Sequence, residues 1–173
     1  MAMVRTASPF LDIRIAPKAV GAAILWGSIG TLSTITIPSL LIAGPAAIML
    51  AAFLTFFVVP LWAVGVLFVG YPAWMLAHVA GFRGWLSASL LGGVLAGGGA
   101  ILFSICVLGV GGPPGATDGW ENGQQTIRDG AYTAEGRSRE DASLLFLLAM
   151  GAVGGICAGT ALWRVAYGPE AQR

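Results

Sequence analysis

A long stretch without charge constrains this chain more than any other feature. No Asp, Glu, Lys or Arg occurs between Lys18 and Arg83, and two further charge-free stretches cover residues 84–117 and 142–163. Soluble proteins carry about 25% charged residues, whereas this chain carries 10% and is 57% hydrophobic. A soluble domain cannot cover its surface with so few ionised groups. The pattern therefore predicts a membrane protein.

The three stretches divide into four predicted spans. Crossing the hydrocarbon core of a bilayer takes about 20 residues of helix, and the first stretch is long enough for two spans. Ala43-Gly44-Pro45 separates them, because glycine and proline interrupt a helix and proline suits the first turn of the next one. We expect an all-α, polytopic membrane protein with four transmembrane helices. Three of them lie within residues 19–110, and the fourth covers residues 142–166.

The apolar run of the second span is longer than one straight crossing of the membrane requires. Its run from Ala46 to Val79 would form about 50 Å of helix, against about 30 Å of hydrocarbon. Pro60 predicts a kink within this run, and Gly70-Tyr71-Pro72 predicts its end, since proline removes a helical hydrogen bond and crowds the preceding turn.

Residues 111–141 are predicted to form a loop. Gly, Pro, Asp, Asn and Gln dominate this segment, and no apolar repeat of a strand or a helix persists in it. Ser138 or Asp141 is then the expected cap of the fourth span. A basic N-terminal segment, residues 1–18, and a short tail, residues 167–173, complete the predicted organisation.

The distribution of lysine and arginine predicts the orientation. Three basic residues share the 111–141 loop with six acidic ones. The other six basic residues fall on the opposite side: Arg5, Arg14, Lys18, Arg83, Arg164 and Arg173. Basic residues favour the cytoplasmic side of a span. We therefore expect a bacterial inner-membrane protein with both termini in the cytoplasm and an extracytoplasmic loop.

Small residues recur at helical spacing in the last two spans. Gly151, Gly155 and Gly159 share one face of a helix, and such a groove lets another backbone approach closely, which drives helix association in lipid. The third span carries neighbouring ridges of small residues. We expect a close-packed glycine seam between the third and fourth helices, with an oligomerisation surface as the alternative. The predicted packing residues are Ser89, Gly92, Gly93, Ala96, Gly97, Gly151, Gly155 and Gly159.

The predicted spans contain little that could carry chemistry. They lack Asp, Glu, Lys and Arg, the residues that mark proton relays and voltage sensors inside membranes. His78 is the only histidine and cannot by itself complete a haem or metal site, so we expect it to have a structural or interfacial role. Cys106 and Cys157 lie within spans and are interpreted as free thiols. We expect no cofactor and no metal.

The predicted loop offers one further set of ligands. Asp118, Glu121, Asn122 and Asp129 carry the oxygen atoms that calcium prefers, although their spacing matches no EF-hand. The simpler interpretation is a solvated loop with Asp-Gly turns.

These observations favour a non-enzymatic protein. The net charge of +1 indicates no nucleic-acid partner. We expect a structural or accessory component that associates with other membrane proteins, as a homo-oligomer or in a larger complex. The alternative is a small channel or facilitator for a neutral solute. It rests on the Ser and Thr residues of the first span and on Pro38 and Pro60, which could expose irregular backbone to a cavity.

Overall fold

The computed structural model describes residues 15–108, 118–121 and 123–168. Most of the basic N-terminal segment, residues 111–117 of the predicted loop, Asn122 and most of the tail lie outside these ranges. The described elements are α1 (Ile15–Ala43), α2 (Ala46–Gly65), a π turn (Val66–Gly70), α3 (Tyr71–Val79), α4 (Trp85–Leu108), β1 (Gly119–Glu121), β2 (Gln124–Arg128), β3 (Ala131–Tyr132) and α5 (Ala134–Tyr167).

The described residues form four helical rods that are long and apolar enough to cross a membrane. These are α1, the continuous run of α2, π turn and α3, then α4, and finally α5. The predicted all-α architecture with four candidate spans is therefore confirmed.

The boundary between the first two rods lies where the sequence places it. Gly44 has a φ of +58°, which glycine adopts without the strain that a side chain would cause. Its N–H donates to the carbonyl of Leu40 over 3.1 Å, and Pro45 immediately precedes α2.

The predicted end of the second span at Gly70-Tyr71-Pro72 is wrong, because the helix continues to Val79. Pro72 has no N–H to donate to the carbonyl one α-helical turn earlier. The chain accommodates it with a π turn, in which Tyr71 N–H donates to the Val66 carbonyl, five residues back. The rod ends instead at Gly81, whose φ is +89°.

The helix α5 lies at the centre of the bundle. It packs against α4 on one side and α1 on another, and α2 packs mainly against α1. Most of the buried apolar side chains cluster where the start of α1, the π turn, α3 and the end of α5 meet. This cluster contains Ala19, Ala23, Val66, Trp74, Ala158, Leu162 and Ala166.

The segment predicted as an irregular loop contains a small sheet. Strands β1, β2 and β3 form an antiparallel meander, residues 119–132, in the order β1-β2-β3. Asp129 and Gly130 turn the chain between β2 and β3 with φ values of +51° and +73°. The strands are two to five residues long, too short to show an apolar repeat.

The helix α5 begins before the predicted start at residue 142. Its first residue is Ala134, and its N-cap is Thr133, whose hydroxyl accepts from the N–H of Gly136. The predicted caps Ser138 and Asp141 lie inside the helix instead. The first turns of α5 are polar, so the apolar run that predicts a span begins well inside the helix.

Candidate functional site

The face of α5 that carries Gly151, Gly155 and Gly159 lies against α4, and we call it the α4 face. Gly155 lies directly against the carbonyl group of Gly92. An ideal Cβ placed on Gly151 would be 2.7 Å from the carbonyl oxygen of Ala96, far inside van der Waals contact. The backbones of the two helices therefore touch, and no side chain larger than hydrogen fits at these positions.

The same contact seen from α4 involves its small residues. An ideal Cβ on Gly93 would lie 3.0 Å from Cγ1 of Ile156, and one on Gly97 would lie 3.1 Å from Cδ1 of Leu148. The Ser89 hydroxyl shares a 2.8 Å hydrogen bond with Thr160 on α5. The structure thus brings the eight predicted packing residues together on one interface: Ser89, Gly92, Gly93, Ala96, Gly97, Gly151, Gly155 and Gly159.

Gly154 opens a second contact face on α5, toward α1, which the sequence analysis missed. An ideal Cβ on Gly154 would lie 2.6 Å from Cζ2 of Trp62 and 2.9 Å from the carbonyl oxygen of Gly27. One on Gly30 would lie 3.0 Å from Sγ of Cys157. The adjacent pair Gly154-Gly155 is the signal that was available. Neighbouring helical residues project about 100° apart, so two glycines in succession serve two neighbours.

The hydroxyl groups of α1 bond within the chain. Trp62 donates its Nε1–H to Thr31 Oγ1 over 3.0 Å, and Thr31 is buried. Ser28 and Thr34 donate to carbonyls of α1 itself, at 2.8 and 2.7 Å. Throughout the described ranges, every buried side-chain nitrogen or oxygen has a hydrogen-bond partner. Of the hydroxyls considered for a solute path, Thr31 therefore joins α1 to α2, and Ser28 and Thr34 are bonded within α1.

His78 belongs to an aromatic cluster between α3 and the end of α5. Its Nδ1 shares a hydrogen bond with the hydroxyl of Tyr167, and the two rings stack with centroids 5.7 Å apart. Trp74 meets Tyr167 edge to face at 5.9 Å. Next to this cluster, Trp163 donates its Nε1–H to the backbone carbonyl of Arg83 over 3.0 Å. His78 therefore joins α3 to α5.

Arg139 connects the meander to α5. Its Nε bonds to Glu135 Oε1 at 3.0 Å, one turn earlier on the helix. Its Nη2 donates to Gln124 Oε1 on β2 over 2.7 Å, and its Nη1 lies 3.4 Å from Glu121 Oε2 on β1. One side chain thus contacts two strands and a helix, a role for which the sequence provides no local signal.

The backbone beside Arg139 holds the meander as well. The Thr133 hydroxyl lies 2.8 Å from the carbonyl oxygen of Gln125, while its N–H donates to the carbonyl of Thr126 over 3.0 Å. Gly136 packs directly on the Thr126 carbonyl, where a side chain would separate the sheet from the helix. The meander is consequently fastened to the first turns of α5.

An open cleft of about 510 Å³ lies between the meander and α5. Its lining includes Thr126, Tyr132, Gly136 and Glu140. Partial burial raises the pKa of the Tyr132 phenol, and the negative charge of Glu140 and its hydrogen bond to the phenol raise that pKa further. Tyr132 is therefore a neutral hydrogen-bonding group in this cleft at physiological pH.

The oxygen ligands considered for calcium do not converge. Asp118 accepts from Gln125 Nε2 over 3.2 Å, and Asp129 lies 3.8 Å from Nε of Arg128. Glu121 is paired with Arg139, and Asn122 lies outside the described residues. Within residues 15–108, 118–121 and 123–168, no three His, Cys, Asp or Glu side chains come close enough to hold a metal ion.

Comparison with models of protein families, with curated proteins and with solved structures finds no match to this chain.

Proposed function

We propose that this chain is a non-enzymatic, multi-pass protein of a bacterial inner membrane that serves as a structural or accessory component of a membrane-protein complex. In this proposal both termini are cytoplasmic, and the meander projects on the extracytoplasmic side as the surface that a partner protein contacts.

The meander is the observation that carries this proposal. It is polar, exposed and fastened to α5 through Thr133, Gly136 and Arg139. A helix of 34 residues is about 50 Å long, so its first turns extend beyond the hydrocarbon core. A rigid polar surface presented outside a membrane is suited to recognition, because little conformational entropy is lost when a partner binds.

The bundle below the meander supports the same role. Its glycine faces are occupied by neighbouring helices of the same chain, which favours the internal seam over an oligomerisation surface. Its buried hydroxyls bond to the chain itself. Hydroxyls bonded in this way support the packing of the bundle, which favours a scaffold over a solute path.

Purification in a mild detergent tests the proposal. Arg139→Ala removes the side chain that joins both strands to α5, and we expect it to abolish recovery of a stoichiometric membrane-protein partner. Arg137→Ala is the matched control, since Arg137 is an exposed arginine on the same turns. Equal recovery of the same partner with wild type and Arg139→Ala would contradict the role of the meander. Isolation of wild type without any stoichiometric partner would contradict the accessory role.

The channel or facilitator for a neutral solute has weaker support, because Thr31 and Thr34 already have hydrogen-bond partners. Flux into proteoliposomes distinguishes the two functions. Under the scaffold proposal, small neutral solutes enter vesicles that contain the protein no faster than they enter vesicles without it.

A further inference from the structure

The end of the bundle opposite the meander is basic, and we define this basic end by Lys18, Arg83 and Arg164. Lys18 precedes Ala19 near the start of α1, Arg83 lies between α3 and α4, and Arg164 lies in the last turn of α5. The packing of Ala19 in one cluster with Ala166 brings these elements together. All three basic side chains are exposed.

The backbone positions of two of these residues are fixed by one indole. Trp163 donates its Nε1–H to the Arg83 carbonyl over 3.0 Å, and Trp163 directly precedes Arg164. The turn that carries Arg83 is therefore held against the turn of α5 that carries Arg164. Arg83 is also close enough to His78 and Tyr167 for its charge to act on both. Arg83 and Arg164 therefore lie on adjoining turns of two elements.

No described acidic residue neutralises this region. The six acids in the described ranges lie at or beside the meander: Asp118, Glu121, Asp129, Glu135, Glu140 and Asp141. The ion pairs of the described residues lie there too, on Arg128 and Arg139. Within the described ranges, Lys18, Arg83 and Arg164 therefore form no ion pair.

Aromatic side chains border the same region. Trp85 is 52% exposed and Phe82 is 62% exposed, and Trp163 is half-buried. Amphipathic aromatic rings favour the headgroup level of a bilayer, whereas an exposed phenylalanine disfavours free water. Exposed arginines beside exposed aromatic rings match a surface that is anionic at one depth and apolar just below it.

We propose that the basic end binds an anionic phospholipid, with Arg83 and Arg164 holding its phosphate and Trp85 and Phe82 lying against its glycerol and upper acyl chains. Guanidinium groups match phosphate oxygens in charge and geometry. A free phosphate would use the arginines but not the apolar border, so the aromatic residues favour the lipid. The inference rests on the membrane insertion of the proposed function, and it does not depend on the partner at the meander.

Native mass spectrometry of the full chain in detergent tests the proposal. The probes are phosphatidylglycerol, phosphatidylcholine and inorganic phosphate, each titrated separately. We expect wild type to retain phosphatidylglycerol in preference to phosphatidylcholine. Removal of each arginine should weaken retention about fivefold and removal of both about 25-fold, since each basic residue beside an anionic lipid surface contributes a factor of that size.

The test variants are R83Q/R164Q and, as a conservative pair, R83K/R164K. The first should lose phosphatidylglycerol, and the second should retain most of it, because lysine preserves the charge. R128Q/R137Q removes the same charge from the meander end and should bind the lipid as wild type does. Arg83 uses its backbone carbonyl to accept from Trp163, so R83Q should preserve that contact and the fold. Unchanged melting in detergent alone verifies this.

Three results would overturn the proposal. R83Q/R164Q could retain phosphatidylglycerol like wild type, phosphatidylcholine could bind as tightly as phosphatidylglycerol, or inorganic phosphate could compete fully with the lipid. Copurification of the meander partner should be the same in R83Q/R164Q and wild type. Wild type that retains phosphatidylglycerol but is isolated without a stoichiometric partner would contradict the proposed accessory role alone.

Discussion

The central helix α5 and the rod formed by α2, the π turn and α3 have the same length and opposite packing. Each candidate span is 34 residues long. An 18-residue stretch of the α2–α3 rod has a mean hydropathy of 2.4, yet only 6% of this stretch is buried. The corresponding 18-residue stretch of α5 has a mean hydropathy of 2.0, and 22% of this stretch is buried. The more apolar rod is therefore the less buried one.

This contrast reverses the rule for soluble proteins, in which the most apolar helix lies in the core. Under the proposed membrane insertion, lipid solvates large apolar side chains as well as a protein interior does. Phe53, Phe56 and Phe57 of α2 are all at least 60% exposed. Backbone contact through Gly154 and Gly155 determines instead which helix is central.

Gly155→Ala should have the largest effect. Its Cβ would overlap the Gly92 carbonyl. The helices must then separate, because the Cβ is held rigidly by the backbone of α5 and the carbonyl belongs to the backbone of α4. We expect a loss of about 3 kcal/mol or more in the free energy of unfolding, measured by denaturant titration in detergent. Gly99→Ala is the matched control on α4, with no atom within 4 Å of its Cβ. There alanine should stabilise by up to about 1 kcal/mol. Equal effects at the two sites would refute backbone contact as the cause.

Gly154→Ala should destabilise less. The added Cβ meets side-chain atoms of Thr31 and Trp62 as well as the Gly27 carbonyl, and side chains can move more easily than a backbone. We expect a loss of about 1–2 kcal/mol, again by denaturant titration. A loss larger than that of Gly155→Ala would show that α1, and not α4, is the main neighbour of α5.

Trp62→Phe should have a smaller effect still. It keeps an aromatic ring on α2 but removes the N–H that donates to Thr31 and the indole atom Cζ2 that lies against Gly154. Interhelical hydrogen bonds in membrane proteins contribute about 0.6 kcal/mol on average, so we expect a decrease of a few degrees in the melting temperature. Trp26→Phe is the control, because Trp26 is 52% exposed and should tolerate the change. Indistinguishable melting of the two variants would mean that the hydrogen bond adds nothing.

Phe56→Ala should have almost no effect on the isolated chain. Phe56 is 80% exposed, and exposed positions usually change stability by less than about 0.5 kcal/mol. Thermal melting of the purified monomer measures this. A loss of 2 kcal/mol or more would show that Phe56 is packed within the chain itself, and the contrast with α5 would then no longer hold.

The sequence predicted the features of the fold that depend on the distribution of charge and on residues that interrupt helices. Charge-free stretches located the four rods, and Gly44-Pro45 located the turn between α1 and α2. The helix end predicted at Pro72 was wrong, because the π turn before it lets the helix continue through the proline. The meander was missed because its strands are short and depend on long-range pairing, such as Trp120 opposite Gln125. Thr133 was missed because the helix it caps begins with polar turns.

The candidate sites show the same division. The spacing of glycines along a helix can be read directly from the sequence, so the residues of the α4 face could be predicted. Arg139 could not, because its partners Glu121 and Gln124 are brought to it by a sheet that the sequence did not predict. The basic end likewise joins residues far apart in the chain, and only the contact between Trp163 and Arg83 shows that they are neighbours.

The π turn also sets the rotational phase of the second rod. Trp62 and Trp74 are 12 residues apart, which on an uninterrupted α-helix would turn them about 120° away from each other. The extra residue of a π turn removes about 100° of that rotation, so the two indoles point in almost the same direction. Both therefore reach the interior of the bundle, Trp62 against Gly27 and Trp74 among Ala19 and Ala166. Deleting one residue from Val66–Gly70 would turn one of these indoles outward.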